Sequence, residues 1–203
     1  MQIVLLSGSV SSGKTTLSEK LRHQFEFHVL KTKEVLRQLS QRRQRKELEA
    51  DRRAMQLFGE RLDRETQGKW VLDALTKVIR GSSDRVIVDS VWIPAQIRAI
   101  RQAYGFDVVH IHLSAPETVL AKRYQGRKTP AFRELKSYAE VERNPTEGRV
   151  GNLAIAADVV IDTALCTPND VLVRAATHLG LYARDYSGLV DARQAPEPQI
   201  CKA

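Results

Sequence analysis

Short apolar runs alternate with longer amphipathic segments along the chain. The short runs are rich in β-branched residues, which is typical of buried parallel strands. They predict five strands, at about 2–6, 27–30, 85–89, 107–113 and 158–162. The longer segments predict helices, near 14–24, 33–48, 51–80, 94–104, 116–124 and 168–180. This alternation predicts an α/β protein of three layers, α/β/α, in which helices cover both faces of a five-stranded parallel sheet.

A glycine-rich segment joins the first predicted strand to the first predicted helix. Residues 8–15 read G-x-x-x-x-G-K-[ST], the spacing of a phosphate-binding loop, or P-loop. Such a loop curls so that successive backbone N–H groups face a polyphosphate at a helix N-terminus. We therefore predict a nucleotide cofactor, for which we expect ATP, bound by Gly8, Ser9, Val10, Ser11, Ser12, Gly13, Lys14, Thr15 and Thr16. The loop alone does not separate a kinase from an ATPase motor, a GTPase or a transporter subunit. The alternative is a Gly/Ser-rich turn that only connects a strand to a helix.

Three side chains around this loop have the chemistry needed to hold a metal-bound triphosphate. Lys14 would reach the β- and γ-phosphates, and the Thr15 hydroxyl would coordinate Mg²⁺. Asp89 ends the apolar run RVIVD, where a carboxylate commonly holds Mg²⁺ through water. We predict Thr15 and Asp89 as the metal-binding pair. The alternative for Asp89 is a side chain that caps the turn after a strand.

Two arginines follow the fourth predicted strand, in ETVLAKRYQGRKTPAFRE. Their spacing of four places Arg123 and Arg127 on one helical face or at the start of a mobile loop. Arginines that close over a transferred phosphoryl group stabilise its charge and exclude water. We predict catalytic roles for Lys14, Asp89, Arg123 and Arg127. The alternative for the two arginines is a solvated surface helix.

The segment after the second strand carries a resemblance to a known family. Residues 30–37, LKTKEVLR, resemble the I-S-T-G-D-x-L-R pattern of the nucleoside monophosphate kinase group of P-loop kinases. The match falls at Thr32, Leu36 and Arg37, with Glu34 in place of the acid, while lysines replace the serine and the glycine. In that group the threonine and the arginine hold the acceptor nucleotide. The resemblance therefore implies an acceptor site on this segment.

Further segments are similar to related kinases. The run DRRAMQLFGERL resembles a helix of deoxynucleotide and dephospho-coenzyme A kinases at Arg53, Gln56 and Gly59, and AADVVIDTALCTP resembles the last strand and the loop that packs on adenine. In VIVDSVWIPAQ, Trp92 stands where that family commonly has an arginine. The resemblance covers residues 1 to about 180. It implies acceptor-binding helices at about 31–80, an arginine-bearing lid at about 123–148, and acceptor contacts from Thr32, Glu34, Arg37 and Arg53.

Chemistry favours one kind of acceptor over another. A hydroxyl acceptor benefits from a carboxylate base, whereas a monophosphate is already ionised and needs positioning and positive charge. Because arginines are dense around the predicted site and metal binding is the expected role of Asp89, chemistry favours a phosphate acceptor. The resemblance implies that this acceptor is a nucleoside or deoxynucleoside monophosphate. The alternatives are a dephospho-coenzyme A or nucleoside kinase with Asp89 as base, and an ATP-binding regulatory module of a larger nucleotide-metabolism enzyme. The absence of an N-K-x-D motif argues against a GTPase that reads guanine in that way.

Length, cysteine content and apolar runs predict a soluble cytoplasmic protein. A chain of 203 residues suits one domain with a core of its own. Cys166 and Cys201 form no metal or redox motif, so we expect a reducing compartment. No apolar run reaches the length of a membrane span, and the first residues lack the basic start of a signal peptide. We therefore expect no membrane partner.

A net charge of +8 raises the question of nucleic-acid binding. The basic run SQRRQRKELEADRR could contact a phosphate backbone, but mixed Arg, Lys and Glu at helical spacing is more typical of a solvated helix face. No aromatic residues interleave with these charges, so we do not expect nucleic acid as a partner. We expect a small-molecule nucleotide acceptor, and a monomer or homodimer or a part of a larger enzyme.

The chain divides into a kinase domain at 1–183 and a tail or linker at 184–203, where periodicity is lost and prolines collect. Two histidines, His110 and His112, share one face of the fourth strand in VVHIHL. They could hold a metal, but no cysteine or third ligand is marked nearby. We interpret them as structural.

Overall fold

The computed structural model describes residues 1–43, 52–81, 83–126, 137–143 and 145–182. Five strands are formed: β1 (Gln2–Ser7), β2 (His28–Leu30), β3 (Arg85–Val88), β4 (Val108–Ser114) and β5 (Val159–Asp162). All neighbouring strands are parallel, in the order β2-β3-β1-β4-β5. The prediction of a five-stranded parallel sheet is confirmed, and each strand begins and ends within two residues of its expected position.

Nine helices surround this sheet within the described ranges. They are α1 (Lys14–Phe25), α2 (Thr32–Arg42), α3 (Arg52–Thr66), α4 (Lys69–Val78), α5 (Pro94–Tyr104), α6 (Glu117–Gln125), α7 (Tyr138–Glu142), α8 (Pro145–Val150) and α9 (Pro168–His178). Pro94 and Pro168 start α5 and α9, where a missing N–H costs nothing. Two short 3₁₀ segments, Gly105–Asp107 and Gly151–Ala156, precede β4 and β5.

One helix prediction was wrong: the segment 51–80 is not a single helix. It is divided into α3 and α4 by Gln67 and Gly68, which have left-handed φ angles of 52° and 79°. A Cβ on Gly68 would lie 2.8 Å from the backbone nitrogen of Gln96. Glycine is thus required both by the backbone conformation and by the close approach of α5. Sequence analysis also missed α7 and α8.

The hydrophobic core has two main parts, one on each face of the sheet. β1 contributes to both, because its side chains alternate: Ile3 and Leu5 point to one face and Val4 and Leu6 to the other, all fully buried. Helices α4 and α5 cover the first face through Val71, Leu75, Ile97 and Ile100. Helices α1 and α9 cover the second through Leu17, Leu21, Val171 and Ala175. The three-layer prediction is therefore confirmed.

Several predictions fall on residues outside the described part of the chain. They are the tail at 184–203, the end of the second predicted helix, and residues 127–136 and 144 of the lid, which include Arg127. In the ranges that the structure covers, no helix is both long and apolar enough to cross a membrane.

Candidate active site

The P-loop follows β1 at the carboxyl edge of the sheet. Gly8 has a φ of 134°, and a Cβ at this position would lie 2.2 Å from the carbonyl oxygen of Leu113 on β4. Gly13, with a φ of 101°, precedes the first residue of α1. The two motif glycines therefore stand where the backbone is left-handed, and at Gly8 a neighbouring strand also leaves no space for a side chain.

Two serine hydroxyls inside the loop lack protein partners. The Oγ atoms of Ser11 and Ser12 are buried, and neither makes a hydrogen bond to the residues that the structure describes. Buried polar groups are nearly always satisfied, so an unsatisfied pair in one loop needs an explanation. A bound phosphate supplies acceptor oxygens for such hydroxyls, and the start of α1 favours the same negative charge. The loop therefore fits a polyphosphate group.

The side chain of Lys14 folds back onto the P-loop. Its Nζ donates hydrogen bonds to the carbonyl oxygens of Gly8 and, at 3.1 Å, of Ser9. These carbonyls are weaker partners for an ammonium than a phosphate would be, because they carry only partial charge. Lys14 is thus held at the P-loop and has the chemistry to neutralise a bound phosphate.

Asp89 follows β3 and meets the start of α2. Its Oδ1 accepts a hydrogen bond from the backbone N–H of Thr32 at 2.9 Å and another from the Thr32 hydroxyl at 3.1 Å. Burial raises the pKa of the Asp89 carboxyl, while the bonds from Thr32 and the charges of Lys14 and Lys31 act to lower it. The aspartate therefore caps the N-terminus of a helix from a different segment, rather than its own turn.

Thr15 and Asp89 form a donor set that suits Mg²⁺. Thr15 is exposed in the first turn of α1, and its hydroxyl has no partner in the described residues. The two hydrogen bonds that Asp89 accepts both go to Oδ1. Hydroxyl and carboxylate oxygens are the ligands that hard cations prefer. By donor chemistry the two residues thus fit a magnesium ion, which Asp89 Oδ2 could hold through water.

Arg123 is half-buried on α6 and is anchored to Thr163, the residue after β5. Its two terminal nitrogens donate to the Thr163 hydroxyl at 2.9 Å and to the Thr163 carbonyl at 2.7 Å. Thr163 in turn bonds the Ser114 carbonyl at the end of β4. Arg123 therefore lies at the same edge of the sheet as the P-loop, and its catalytic role stays a prediction, as does that of Arg127.

The predicted acceptor residues are only partly brought together. Thr32 is buried and bound to Asp89. Glu34 is exposed and Arg37 half-buried on α2, and the two form an ion pair of 2.9 Å. Arg53 is exposed near the start of α3. Thr32 is thus joined to the site by hydrogen bonds, and acceptor contacts by Glu34, Arg37 and Arg53 stay predictions.

Trp92, which stands where the resembling family commonly has an arginine, is packed into the structure. Its indole lies 6.4 Å from Trp70 between ring centroids, and the ring edge is 3.4 Å from a Cβ placed on Gly59 of α3. Its Nε1 donates to Ser90 Oγ at 2.8 Å, and its backbone N–H donates to the Gln96 side chain at 2.9 Å. These contacts fix the loop that follows Asp89.

Sequence analysis missed the carboxylate beneath this loop. Asp63 Oδ1 accepts hydrogen bonds from Trp70 Nε1 at 2.7 Å and from Gln96 Nε2 at 2.9 Å. Burial raises the pKa of Asp63, and these two bonds act to lower it. Asp63 thereby ties α3, α4 and α5 together. An acid in the middle of a polar helix carries no local signal that would have identified it.

A second polar cluster was also missed, at the base of the P-loop. The buried Ser7 hydroxyl lies 2.7 Å from His110 Nε2 and 2.8 Å from His112 Nδ1. Burial lowers the pKa of both imidazoles, that of His112 to about 4. Both rings are therefore neutral at pH 7. The register that pairs Ser7 with His112 could have suggested the contact, but only once strand order was known.

The sheet order, the curled glycine loop and its lysine define a class, the P-loop nucleotide-binding proteins. Residues 3–144 match a family model described as an AAA domain, and this is more than half of the chain. The chain therefore belongs to the AAA domain family. No curated protein matches its sequence.

Solved structures share the fold across nearly the whole chain. A sugar kinase from Janibacter sp. HTCC2649 is 16% identical, with a TM-score of 0.57, and the match covers 90% of this chain and 96% of that one. Shikimate kinase from Bacteroides thetaiotaomicron is 11% identical, with a TM-score of 0.55 and coverage of 88% and 98%. Shikimate kinase from Aquifex aeolicus is 12% identical, with a TM-score of 0.51 and coverage of 90% and 98%. At such identities the likeness establishes the fold alone.

Proposed function

We propose that this protein transfers the γ-phosphoryl group of ATP to a small molecule, with Mg²⁺ as cofactor. The observation that carries the proposal is the P-loop before α1, in which the buried hydroxyls of Ser11 and Ser12 have no hydrogen-bond partner among the described residues. Membership of the AAA domain family supports ATP as the nucleotide. The kinase fold of the solved neighbours supports transfer rather than motor activity.

The roles of the residues follow from their positions. Lys14 would leave the Gly8 and Ser9 carbonyls and bond the β- and γ-phosphates. Thr15 and Asp89 would hold Mg²⁺, which supplies charge neutralisation between the β- and γ-phosphates. Arg123, fixed by Thr163, would face the same phosphates, and Arg127 would join it from the lid at about 123–148. Residues 31–80 would form the acceptor-binding part of a domain spanning 1–183.

A nucleoside or deoxynucleoside monophosphate is the first candidate acceptor. Thr32 supports it, because the residue that resembles the family's nucleotide-binding threonine is at the start of α2 and next to Asp89. An arginine must then meet the acceptor phosphate. Arg37 would do so by exchanging its exposed pair with Glu34 for the phosphate, at little cost because such pairs are weak.

A hydroxyl group is the second candidate acceptor, as in nucleoside and dephospho-coenzyme A kinases. Asp89 favours it, because burial raises its pKa towards the range in which a carboxylate accepts a proton readily. The hydroxyl oxygen would attack the γ-phosphorus and pass its proton to Asp89, while the bond to ADP breaks. The neighbours named as sugar kinase and shikimate kinase support this candidate by fold only.

The test is ADP release from MgATP with a panel of acceptors: ribo- and deoxynucleoside monophosphates, nucleosides, sugars, shikimate and dephospho-coenzyme A. We expect one acceptor to raise the rate at least about tenfold, and Lys14→Ala to abolish the increase. Lys20→Ala is the matched control, since Lys20 is on the same helix and bonds Asn169 away from the loop. Slow release that ignores every acceptor, with tight ATP binding, would overturn the proposal and favour a regulatory module.

A further inference from the structure

A cluster of three polar side chains lies inside the sheet, between β1 and β4. The Ser7 hydroxyl is 2.7 Å from His110 Nε2 and 2.8 Å from His112 Nδ1, and all three residues are buried. The earlier residues on this face of β1, Ile3 and Leu5, are apolar. Buried polar groups add little net stability even when they are satisfied, so a polar cluster within an apolar face requires an explanation.

The hydrogen bonds of this cluster run in one consistent direction. Burial lowers the pKa of both imidazoles, so each ring carries a single proton at pH 7. The carbonyl oxygen of Ala156, 3.4 Å from His110 Nδ1, can only accept, so His110 has its proton on Nδ1. His110 Nε2 then accepts the Ser7 hydroxyl proton. The Ser7 oxygen in turn accepts from His112 Nδ1, so both rings have the Nδ1–H form.

The cluster lies where the P-loop leaves the sheet. Ser7 and His112 are the last pair in the register of β1 with β4. The residues that follow them approach so closely that a Cβ on Gly8 would lie 2.2 Å from the carbonyl oxygen of Leu113. The Gly8 carbonyl also accepts a hydrogen bond from Lys14. A shift between the two strand ends would therefore move both the first residue of the P-loop and a partner of its lysine.

We propose that Ser7 is a positioning residue for nucleotide binding, which acts through Gly8 on the P-loop. Its hydroxyl joins β1 to two imidazoles of β4 and so fixes the two strand ends in one arrangement. An apolar side chain would fill the same space without selecting that arrangement, because apolar contacts have no direction and hydrogen bonds do. This role rests on the ATP binding that the proposed function includes, and it adds a residue outside the P-loop motif.

The first experiment measures the affinity of the full chain for MgATP by titration calorimetry. We expect Ser7→Ala to weaken binding about tenfold, because a binding loop loses affinity when its supporting contacts no longer hold it in place. Ser7→Thr keeps the hydroxyl and should bind within about threefold of the wild type. Urea unfolding shows whether each variant is folded under the conditions of the titration.

Leu5→Ala is the matched control for a general loss of stability. Leu5 is fully buried on the same face of β1 and pairs with His110, so its truncation destabilises the same two strands without removing a polar contact. We expect the folded Leu5→Ala protein to bind MgATP within about twofold of the wild type.

The second experiment is long-range proton–nitrogen correlation NMR of the imidazoles, which tests the hydrogen-bond direction in the wild type itself. We expect His110 and His112 in the Nδ1–H form. Ser7→Ala should release His112 from this form, because the hydrogen bond at one ring nitrogen determines which tautomer is present. If His112 of the folded wild type has its proton on Nε2, the proposal is overturned, since one hydroxyl proton cannot serve both rings.

The binding data can overturn the proposal in three further ways. Ser7→Ala may bind MgATP as tightly as the wild type does, Ser7→Thr may bind as weakly as Ser7→Ala, or Leu5→Ala may lose as much affinity as Ser7→Ala. In each of these cases the wild type still binds MgATP, so the proposed function stands. A wild type that binds no MgATP would overturn the proposed function and this role together.

Discussion

The two sides of the predicted active site are built in different ways. The P-loop side depends on backbone geometry: Gly8 fits against Leu113 only without a side chain, and Gly13 has a left-handed φ. The acceptor side depends on side-chain contacts between distant segments, such as Thr32 with Asp89 and Asp63 with Gln96. A backbone requirement leaves a fixed pattern in the sequence, whereas a contact between distant side chains does not.

Substitution at Gly8 should have the largest effect, because it should disrupt the backbone of the P-loop. Gly8→Ala places a Cβ 2.2 Å from the Leu113 carbonyl at a φ of 134°, so β1 or β4 must shift. We expect ATP binding to be lost and the free energy of unfolding to fall by more than about 3 kcal/mol. Titration calorimetry and urea unfolding measure the two effects. Gly148→Ala, with open space around its Cβ on α8, should leave both nearly unchanged.

Acid should destabilise the fold through the buried histidines beneath the P-loop. Because burial lowers the pKa of His112 from 6.5 to about 4, the unfolded chain takes up a proton in this range and the folded chain does not. Stability should therefore fall as the pH drops from about 6.5 to about 4, by about 3 kcal/mol from this residue. His112→Gln should flatten that slope in urea unfolding at several pH values, while His23→Gln, at an exposed site, should keep it. Equal slopes in His112→Gln and the wild type would contradict this account.

Removing the carboxylate of Asp63 should destabilise the packing of α3, α4 and α5 on the acceptor side. Asp63→Ala leaves the Trp70 indole N–H and the Gln96 amide without their acceptor in a buried place. We expect a loss of about 2–3 kcal/mol in the free energy of unfolding. Asp73→Ala, an exposed site on α4, should change stability by less than about 0.5 kcal/mol. If the free energy of unfolding of Asp63→Ala fell by no more than that of Asp73→Ala, the Asp63 contacts would not stabilise the fold.

The smallest expected effect concerns the link between α2 and Asp89. Thr32→Val removes one of the two hydrogen bonds that lower the pKa of Asp89, so that pKa should rise further. If the ionised carboxylate is the active form, the acid limb of the pH–rate profile should move to higher pH. Thr32→Ser keeps the hydroxyl and should leave the limb in place. A profile that is identical in all three proteins would separate Thr32 from the titration of Asp89.

Sequence reasoning succeeded where the signal is local. The five strands were predicted because each is a short apolar run, and the P-loop because its glycines and lysine have a fixed spacing. It failed at Gln67, whose left-handed conformation ends α3, and at the short helices α7 and α8. It also missed Ser7 between the two histidines, since these residues are more than a hundred positions apart.

The comparison also explains why ATP is easier to infer than the acceptor. Backbone N–H groups and a glycine turn recognise phosphate in many proteins in the same way, whatever the rest of the ligand is. The acceptor would be selected by side chains, and the segments predicted to supply them depart from the resembling family at Lys31, Lys33 and Trp92. The identity of the acceptor therefore has to come from the panel of candidate molecules.

The most direct test of the central claim separates ATP binding from phosphoryl transfer at Asp89. Asp89→Asn keeps an oxygen for Thr32 but removes the charge and the proton acceptor. With γ-labelled ATP, Mg²⁺ and the acceptor found in the panel, we predict that the variant still binds ATP within about threefold of the wild type. We also predict that it transfers label at least about a hundredfold more slowly. Transfer at the wild-type rate in Asp89→Asn would contradict the account, because neither metal binding nor base catalysis could then depend on this carboxylate.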